Sequence, residues 1–173
     1  MTHRENSINY YHKTINSPLG ELKLIASNKG LAAVLWEDDD PQRIQIRESE
    51  EYNDHPILVE TAKQLKEYFE KERINFDLEL DFIGTEFQKK VWEALLTIPF
   101  GETRTYGQIA KQISTPKAVR AVGGAANKNP ISIIAPCHRV IGTSGKLIGF
   151  AGGLENKSRL LKFEDSRRNP TLW

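Results

Sequence analysis

An α+β fold is what this sequence predicts: a small N-terminal sheet with a covering helix, then a helical domain built around a helix-turn-helix. Three observations carry that reading. Apolar residues alternate with polar ones over the first third, as half-buried strands require, whereas beyond Gly84 they recur every three or four residues, as helices require. Two short helical stretches between about residues 106 and 127 are joined by a tight turn, and the second is rich in small residues. The charge is divided: residues 1–83 hold 10 Lys/Arg against 17 Asp/Glu and residues 84–173 hold 14 against 6, so a net +1 conceals halves of −7 and +8.

Each element has a local chemical cause. Residues 8–15 read as a strand, and Ser17-Pro18-Leu19-Gly20 as a type I turn with Pro second and Gly fourth. Leu22, Leu24 and Ala26 alternate in a second strand, Asn28-Lys29-Gly30 turns the chain, and residues 31–36 form a third strand. The acidic run Glu37-Asp38-Asp39-Asp40 reads as a solvated loop. Leu58, Ala62, Leu65 and Phe69 lie on one face of a helix that covers the sheet, and residues 77–82 alternate again as a strand. Past Gly84, Thr85 caps a helix whose apolar face is Phe87, Val91, Leu95 and Ile98. A short helix starts near Tyr106. Thr115 and Pro116 suit the cap and first position of the next, over about 116–127.

With 173 residues, 39% of them apolar and 27% charged, the chain fits a globular protein of one domain or two small ones. No apolar run approaches the roughly 18–20 residues that span a bilayer, and residues 1–6 lack the apolar stretch of a secretory signal. One cysteine, Cys137, can form neither an internal disulfide nor a thiolate zinc site within the chain, so a reducing, cytoplasmic setting is expected.

Two features point to chemistry. Gly123 and Gly124 each cost about 1 kcal/mol of helix stability relative to alanine. They mark either a fraying helix end or a backbone that something approaches closely; Lys117, Arg120 and Lys128 beside them favour DNA. Residues 131–135 read as a short buried strand, and Cys137-His138-Arg139-Val140 comes after Pro136. A lone buried cysteine is either an inert core residue or a nucleophile. Its pairing with His138 and Arg139 favours the nucleophile, with positive neighbours lowering a thiol pKa of about 8.5. Neighbours on an extended strand point apart, so His138 reaches Cys137 only at a bend or through a water.

Pro136-Cys137-His138-Arg139-Val140-Ile141-Gly142 resembles the active-site signature of the O6-alkylguanine-DNA alkyltransferases, the methylated-DNA–protein-cysteine methyltransferases. The resemblance extends through Thr105-Tyr106-Gly107-Gln108-Ile109-Ala110, the run Lys117-Ala118-Val119-Arg120-Ala121-Val122-Gly123-Gly124-Ala125, and Asn127-Lys128-Asn129-Pro130. Downstream it takes in Gly149-Phe150-Ala151-Gly152-Gly153-Leu154 and Leu160-Leu161-Lys162-Phe163-Glu164. The N-terminal half resembles the family only in its sheet-then-helix pattern.

The resemblance implies an acidic α+β domain over 1–83 and a winged-helix-like domain over 84–173 that binds double-stranded DNA containing alkylated guanine and carries out the transfer. Cys137 would take the alkyl group from guanine O6, and from thymine O4, once per chain and irreversibly. No cofactor is implied. His138 would bridge to Cys137 through a water and be oriented by Glu164; Asn129 would tie the active-site turn to the recognition helix. Tyr106 would rotate the nucleotide out of the duplex and donate to the departing base, while Arg120 fills the space left in the stack. Lys117, Ala121, Gly123, Gly124 and Lys128 would face the minor groove, and Val140, Phe150, Ala151 and Lys157 would wall the pocket. Some relatives hold zinc in the N-terminal domain. His3, His12 and His55 lack a ligand-like grouping, so no zinc is expected, nor is the extra domain of some bacterial relatives, for which the chain is too short. The protein is expected to act as a monomer, with cooperativity on DNA open, and away from membranes; in the cytoplasm it would associate with the nucleoid when bound to DNA. Arg167 and Arg168 in the tail are either a weak DNA contact or nothing. Two other classes stay open: a DNA binder without repair activity, as a lesion recogniser or transcription regulator, and a Cys–His hydrolase.

Overall fold

A computed structural model describes residues 9–145 and 149–165. Strand β1 (Tyr11–Ser17) turns at Pro18-Leu19 into the antiparallel β2 (Gly20–Ala26). Gly20, at φ +104°, holds a conformation that a Cβ disfavours, as the fourth residue of this turn requires. β3 (Leu31–Trp36) pairs antiparallel with β2, and β4 (Glu50–Glu51) pairs parallel with the far edge of β1, giving the order β3-β2-β1-β4. Helix α1 (Pro56–Phe69) starts where the His55 ring accepts from the Ile57 N–H, and lays Leu58, Leu65, Tyr68 and Phe69 over Leu22, Leu24 and Val34. The sheet's other face is covered by Ile44 and Ile46.

The second half begins with α2 (Glu86–Leu95), then β5 (Arg104–Thr105), α3 (Tyr106–Gln112) and α4 (Val119–Asn127). Thr85 and Thr105 each start their helix with a reciprocal capping box, to Gln88 and Gln108. The helix-turn-helix pair α3–α4 closes with α2 around Val91, Trp92, Leu95, Ile109 and Val122. A single 3₁₀ turn (Cys137–Arg139) leads into β6 (Val140–Ile141), which pairs parallel with β5, and α5 (Leu154–Asp165) completes the described chain. Ile131, Ile134, Leu160 and Phe163 join the core under α1, so apolar packing runs continuously between the halves.

The α+β class is the one the sequence predicts, but four local readings differ. Residues 77–82 form one bridge, Leu80 to Leu31, rather than a strand, because the same edge of β3 is taken further along by Ile131 against Val34. Residues 131–135 are buried but not extended: Ile133 sits at φ +74° and the Ala135 N–H returns to the Ile131 carbonyl at 3.0 Å. α4 starts at Val119 rather than at Pro116, since the Ala118 N–H donates to the Thr115 carbonyl at 2.9 Å and spends those residues on a turn; the Thr115 hydroxyl caps nothing. The acidic run is not wholly solvated, for Asp39 is buried in an ion pair with Arg43, Oδ1 to Nε at 2.7 Å. The expected strand start at Ile8, His3 and the tail arginines lie outside the described residues. His12 bonds Ser49 and His55 caps α1, and among the described residues no group of three or more His, Cys, Asp or Glu could hold a metal ion. No helix among them is long and apolar enough to cross a membrane.

Candidate active site

Pro136 opens the 3₁₀ turn, and hydrogen bonds from the Cys137 N–H to Ala135 and from the Arg139 N–H to Pro136 bend the chain at Cys137. That bend separates the side chains. Cys137 joins the core cluster of the helix-turn-helix, while His138 and Arg139 reach the carboxylate of Glu164 on α5.

Glu164 Oε2 accepts from Tyr68 Oη at 2.6 Å and from Arg139 Nη2 at 2.9 Å, and lies 2.8 Å from His138 Nε2. Oε1 accepts from Arg139 Nε at 2.7 Å. Burial alone would raise this carboxyl's pKa. His138 and Arg139 override it and hold the group well below the usual carboxylate range. An ionised carboxylate can only accept, so His138 Nε2 carries a proton; Nδ1, buried and with no protein partner among the described residues, then holds a lone pair when the ring is neutral. Arg139 also donates to the Ile98 carbonyl at 2.6 Å and lies over the Phe100 ring.

Burial pushes the Cys137 thiol above its ordinary value; the Asn129 amide and the charges of Arg43 and Lys157 pull the other way without overcoming it. Positive charge does lower this pKa, as the sequence reading has it, but it comes from Arg43 and Lys157 rather than from Arg139, which is engaged with Glu164, and burial outweighs it. The Asn129 amide donates to the Ala135 carbonyl at 2.7 Å and accepts from the Ile131 N–H at 3.0 Å, while its backbone N–H bonds Ala126 of α4 at 3.2 Å. It thus joins the turn before Cys137 to the end of α4.

Tyr106 is half-buried at the start of α3, and burial, helped by Cys137, raises its phenol pKa. Lys157 is buried on α5 with its ammonium 5.9 Å from the Tyr106 ring centre; burial lowers its pKa and Cys137 opposes this. Val140 is buried next to the 3₁₀ turn, and Phe150 and Ala151 are partly buried, with Phe150 edge-on to Trp36. The helix α4 buries Val122, Ala125 and Ala126 and turns Arg120, Ala121 and Gly124 outward, with Lys117 and Lys128 exposed at its two ends. Among the described residues, a Cβ on Gly124 would meet nothing within 4 Å, and one on Gly123 would only touch Tyr106 at 3.9 Å. Packing within the protein demands neither glycine.

Two matches span the chain. Residues 10–82 fit the family model of the 6-O-methylguanine DNA methyltransferase ribonuclease-like domain, and residues 86–166 that of the 6-O-methylguanine DNA methyltransferase DNA binding domain. The chain is 49% identical over 156 residues to the methylated-DNA–protein-cysteine methyltransferase of Methanosarcina acetivorans, covering 90% of this chain and 99% of that one. It belongs to the 6-O-methylguanine DNA methyltransferase family. The Mycobacterium bovis methylated-DNA–protein-cysteine methyltransferase is 48% identical over 91% of this chain and 93% of its own. The crystal structure of Mycobacterium tuberculosis OGT in complex with DNA superimposes with a TM-score of 0.82 at 46% identity, covering 92% of this chain and 94% of that one.

Within this methyltransferase framework the structure brings Cys137, Asn129, Tyr106 and Lys157 together on one side of the turn, and His138 and Glu164 on the other. Three participants escape the sequence reading. Tyr68 is hidden by its place on the apolar face of α1, where a core aromatic is the ordinary reading. Arg139 stands out in the sequence only as a charge beside the thiol. Arg43 sits four residues after Asp39, the one sequence signal for their ion pair, and its Nη1 donates to the Asn129 carbonyl at 2.6 Å.

Proposed function

We infer that this protein repairs DNA by direct reversal of alkylation damage, moving the alkyl group of O6-alkylguanine irreversibly onto Cys137. The observation that carries this is the Glu164–His138 contact: with Nε2 held at the carboxylate, the buried Nδ1 of the residue next to Cys137 is left without a protein partner among the described residues. His138 Nδ1 takes the Cys137 proton through a bridging water as the thiolate attacks the alkyl carbon. One S–C bond forms and the C–O6 bond breaks, with its electron pair going to the guanine. The raised pKa of Tyr106 keeps its O–H protonated, ready to donate to the departing base. Lys157, adjacent to the thiol, offsets the charge of the thiolate as it forms. Since the thioether persists, each chain acts once. No cofactor enters this scheme.

On this reading residues 1–83 are the structural half and residues 84–173 bind DNA and carry the chemistry. The exposed face of α4 enters the minor groove through Ala121, Gly123 and Gly124, Lys117 and Lys128 contact phosphates, and Arg120 occupies the place of the extruded base. Asn129 keeps the active-site turn in register with that helix. Val140, Phe150 and Ala151 wall the base pocket. The substrate is double-stranded DNA carrying alkylated guanine, with O4-alkylthymine a second target; the protein acts as a monomer in the cytoplasm.

The test is intact mass after mixing with a duplex containing one O6-methylguanine, then peptide mapping. One methyl group on Cys137, saturating at one per chain, is expected. Lesion binding without mass gain would replace transfer by recognition alone, and repeated turnover would replace it by hydrolysis.

A further inference from the structure

A second concave site lies where the N-terminal half meets the end of α4. It encloses about 230 Å³ between the loop after β3 and the N-terminal part of α2, and it is lined by Arg43, Arg47, Lys128, Gln42, Gln45 and Gln88 above the apolar floor of Trp92. None of the described residues lining it is acidic. That is unexpected in a half whose charge is −7.

The carbonyl end of a helix repels anions, and α4 ends here. Its last carbonyls are engaged: the Trp92 indole N–H donates to Ala125 at 2.8 Å, and Arg43 donates to Asn127 and, just past the helix, to Asn129. With Asp39 also on its guanidinium, much of Arg43's charge in the site is offset. Arg47 and Lys128 remain. Arg47 is steered over the loop by Nη1 bonds to the Pro41 and Ile44 carbonyls, and its Nε and Nη2 make no protein hydrogen bond among the described residues. Gln88 gives its oxygen to the Thr85 N–H, so its amide offers the site only donors. Two cations and a set of amide donors with no acid opposite suit a single phosphate group.

Position selects the kind of phosphate. The outward face of α4 runs through Arg120, Ala121 and Gly124 at helical spacing and reaches Lys128, which lines this site. We propose that the site holds a backbone phosphate of the DNA strand flanking the lesion, so that the acidic N-terminal half contributes a sequence-independent DNA contact through Arg47. This rests on the DNA-binding reading above.

The experiment measures the salt dependence of affinity for intact and O6-methylguanine duplexes with wild type, Arg47→Gln and Arg47→Lys. Losing one phosphate contact lowers the slope of log K against log salt by about 0.9. Arg47→Gln should show that loss equally on both duplexes, and Arg47→Lys, which keeps the charge but not the geometry of the loop bonds, should retain most of the slope. An unchanged slope in Arg47→Gln overturns the proposal. So does equal loss in both variants, which would mean that Arg47 acts by shaping the loop. Inorganic phosphate that raises the melting temperature of wild type but not of Arg47→Gln, with duplex slopes unchanged, would assign the pocket to a free anion instead. Methyl transfer to wild-type Cys137, read by mass on the same duplex, reports separately on the repair reading.

Discussion

Replacing Glu164 by Gln removes a charge while keeping the side chain's shape, and the groups around it determine the consequences. The new amide avoids most conflict by keeping its oxygen at the Oε2 position, where Tyr68, His138 and Arg139 Nη2 converge, and placing its NH₂ against Arg139 Nε. Geometrically that costs one hydrogen bond. Electrostatically it leaves the buried Arg139 guanidinium with the Ile98 carbonyl and the Phe100 ring but no counter-charge. Breaking a buried ion pair in this way costs about 3–5 kcal/mol. At about 2–4 °C per kcal/mol for a chain of this size, the melting temperature should fall by roughly 6–20 °C. The effect has a pH signature. A carboxyl whose folded pKa is depressed stabilises the protein fully above its unfolded value, about 4.3, and loses that contribution as the pH falls towards the folded value. The gap between wild type and Glu164→Gln should therefore be flat from about pH 8 to about pH 5.5 and narrow in acid. Methyl transfer, read by mass in single-turnover mixing at a temperature where both proteins are folded, should slow by about 10²–10⁴-fold, the range for a lost acid–base assembly. A variant that melts within about 2 °C of wild type, less than a 1 kcal/mol change, and transfers at the wild-type rate would refute the role given to Glu164.

Tyr68→Phe keeps the aromatic packing of α1 and deletes only the 2.6 Å bond to Glu164; it should destabilise the fold by about 1.5–3 kcal/mol in chemical denaturation and change the pH profile of transfer without changing affinity for intact DNA. Gly124→Ala should raise stability by about 0.5–1 kcal/mol, since its Cβ meets nothing among the described residues, yet weaken duplex binding in a fluorescence titration because the proposed docking turns that Cβ to the groove. Cys137 gives an alkaline limb: its folded pKa is raised, so the stability it contributes is present below the unfolded value of about 8.5 and is lost as the pH rises. Cys137→Ala should flatten that limb in thermal melts.

Legibility in the sequence depends on how local each cause is. Thr85 and Thr105 cap their helices with residues three positions on, and the β2–β3 alternation needs only neighbouring strands, so these are legible. Residues 131–135 look like a strand because their apolar, β-branched content reports burial. What bends them is a backbone bond within the segment and competition for the β3 edge, neither of which composition records. Cys137 and His138 stand out by their adjacency beside Arg139, whereas Asn129 and Glu164 are named only through the family resemblance. Tyr68 and Glu164 are 96 residues apart, and their contact exists only because α1 and α5 share one core.

That contact alters how the two halves relate. A reading of the sequence assigns the acidic half a structural task and the basic half the chemistry. In the folded protein the carboxylate that sets the His138 tautomer is held from both sides: Arg139 comes from the same half and Tyr68 from the other. Asn129 is likewise gripped through its carbonyl by Arg43 of the acidic half, and Arg43's charge is felt at Cys137. Burial thus raises the thiol's pKa, while the two features that the proposed transfer uses, the His138–Glu164 contact and the Asn129 turn, depend on side chains from residues 1–83. On the proposed mechanism such an arrangement keeps the Cys137 thiol protonated until His138 takes its proton. It also explains why a chain built for one turnover maintains a shared core: the precision needed at the sulfur is supplied by the interface between the halves.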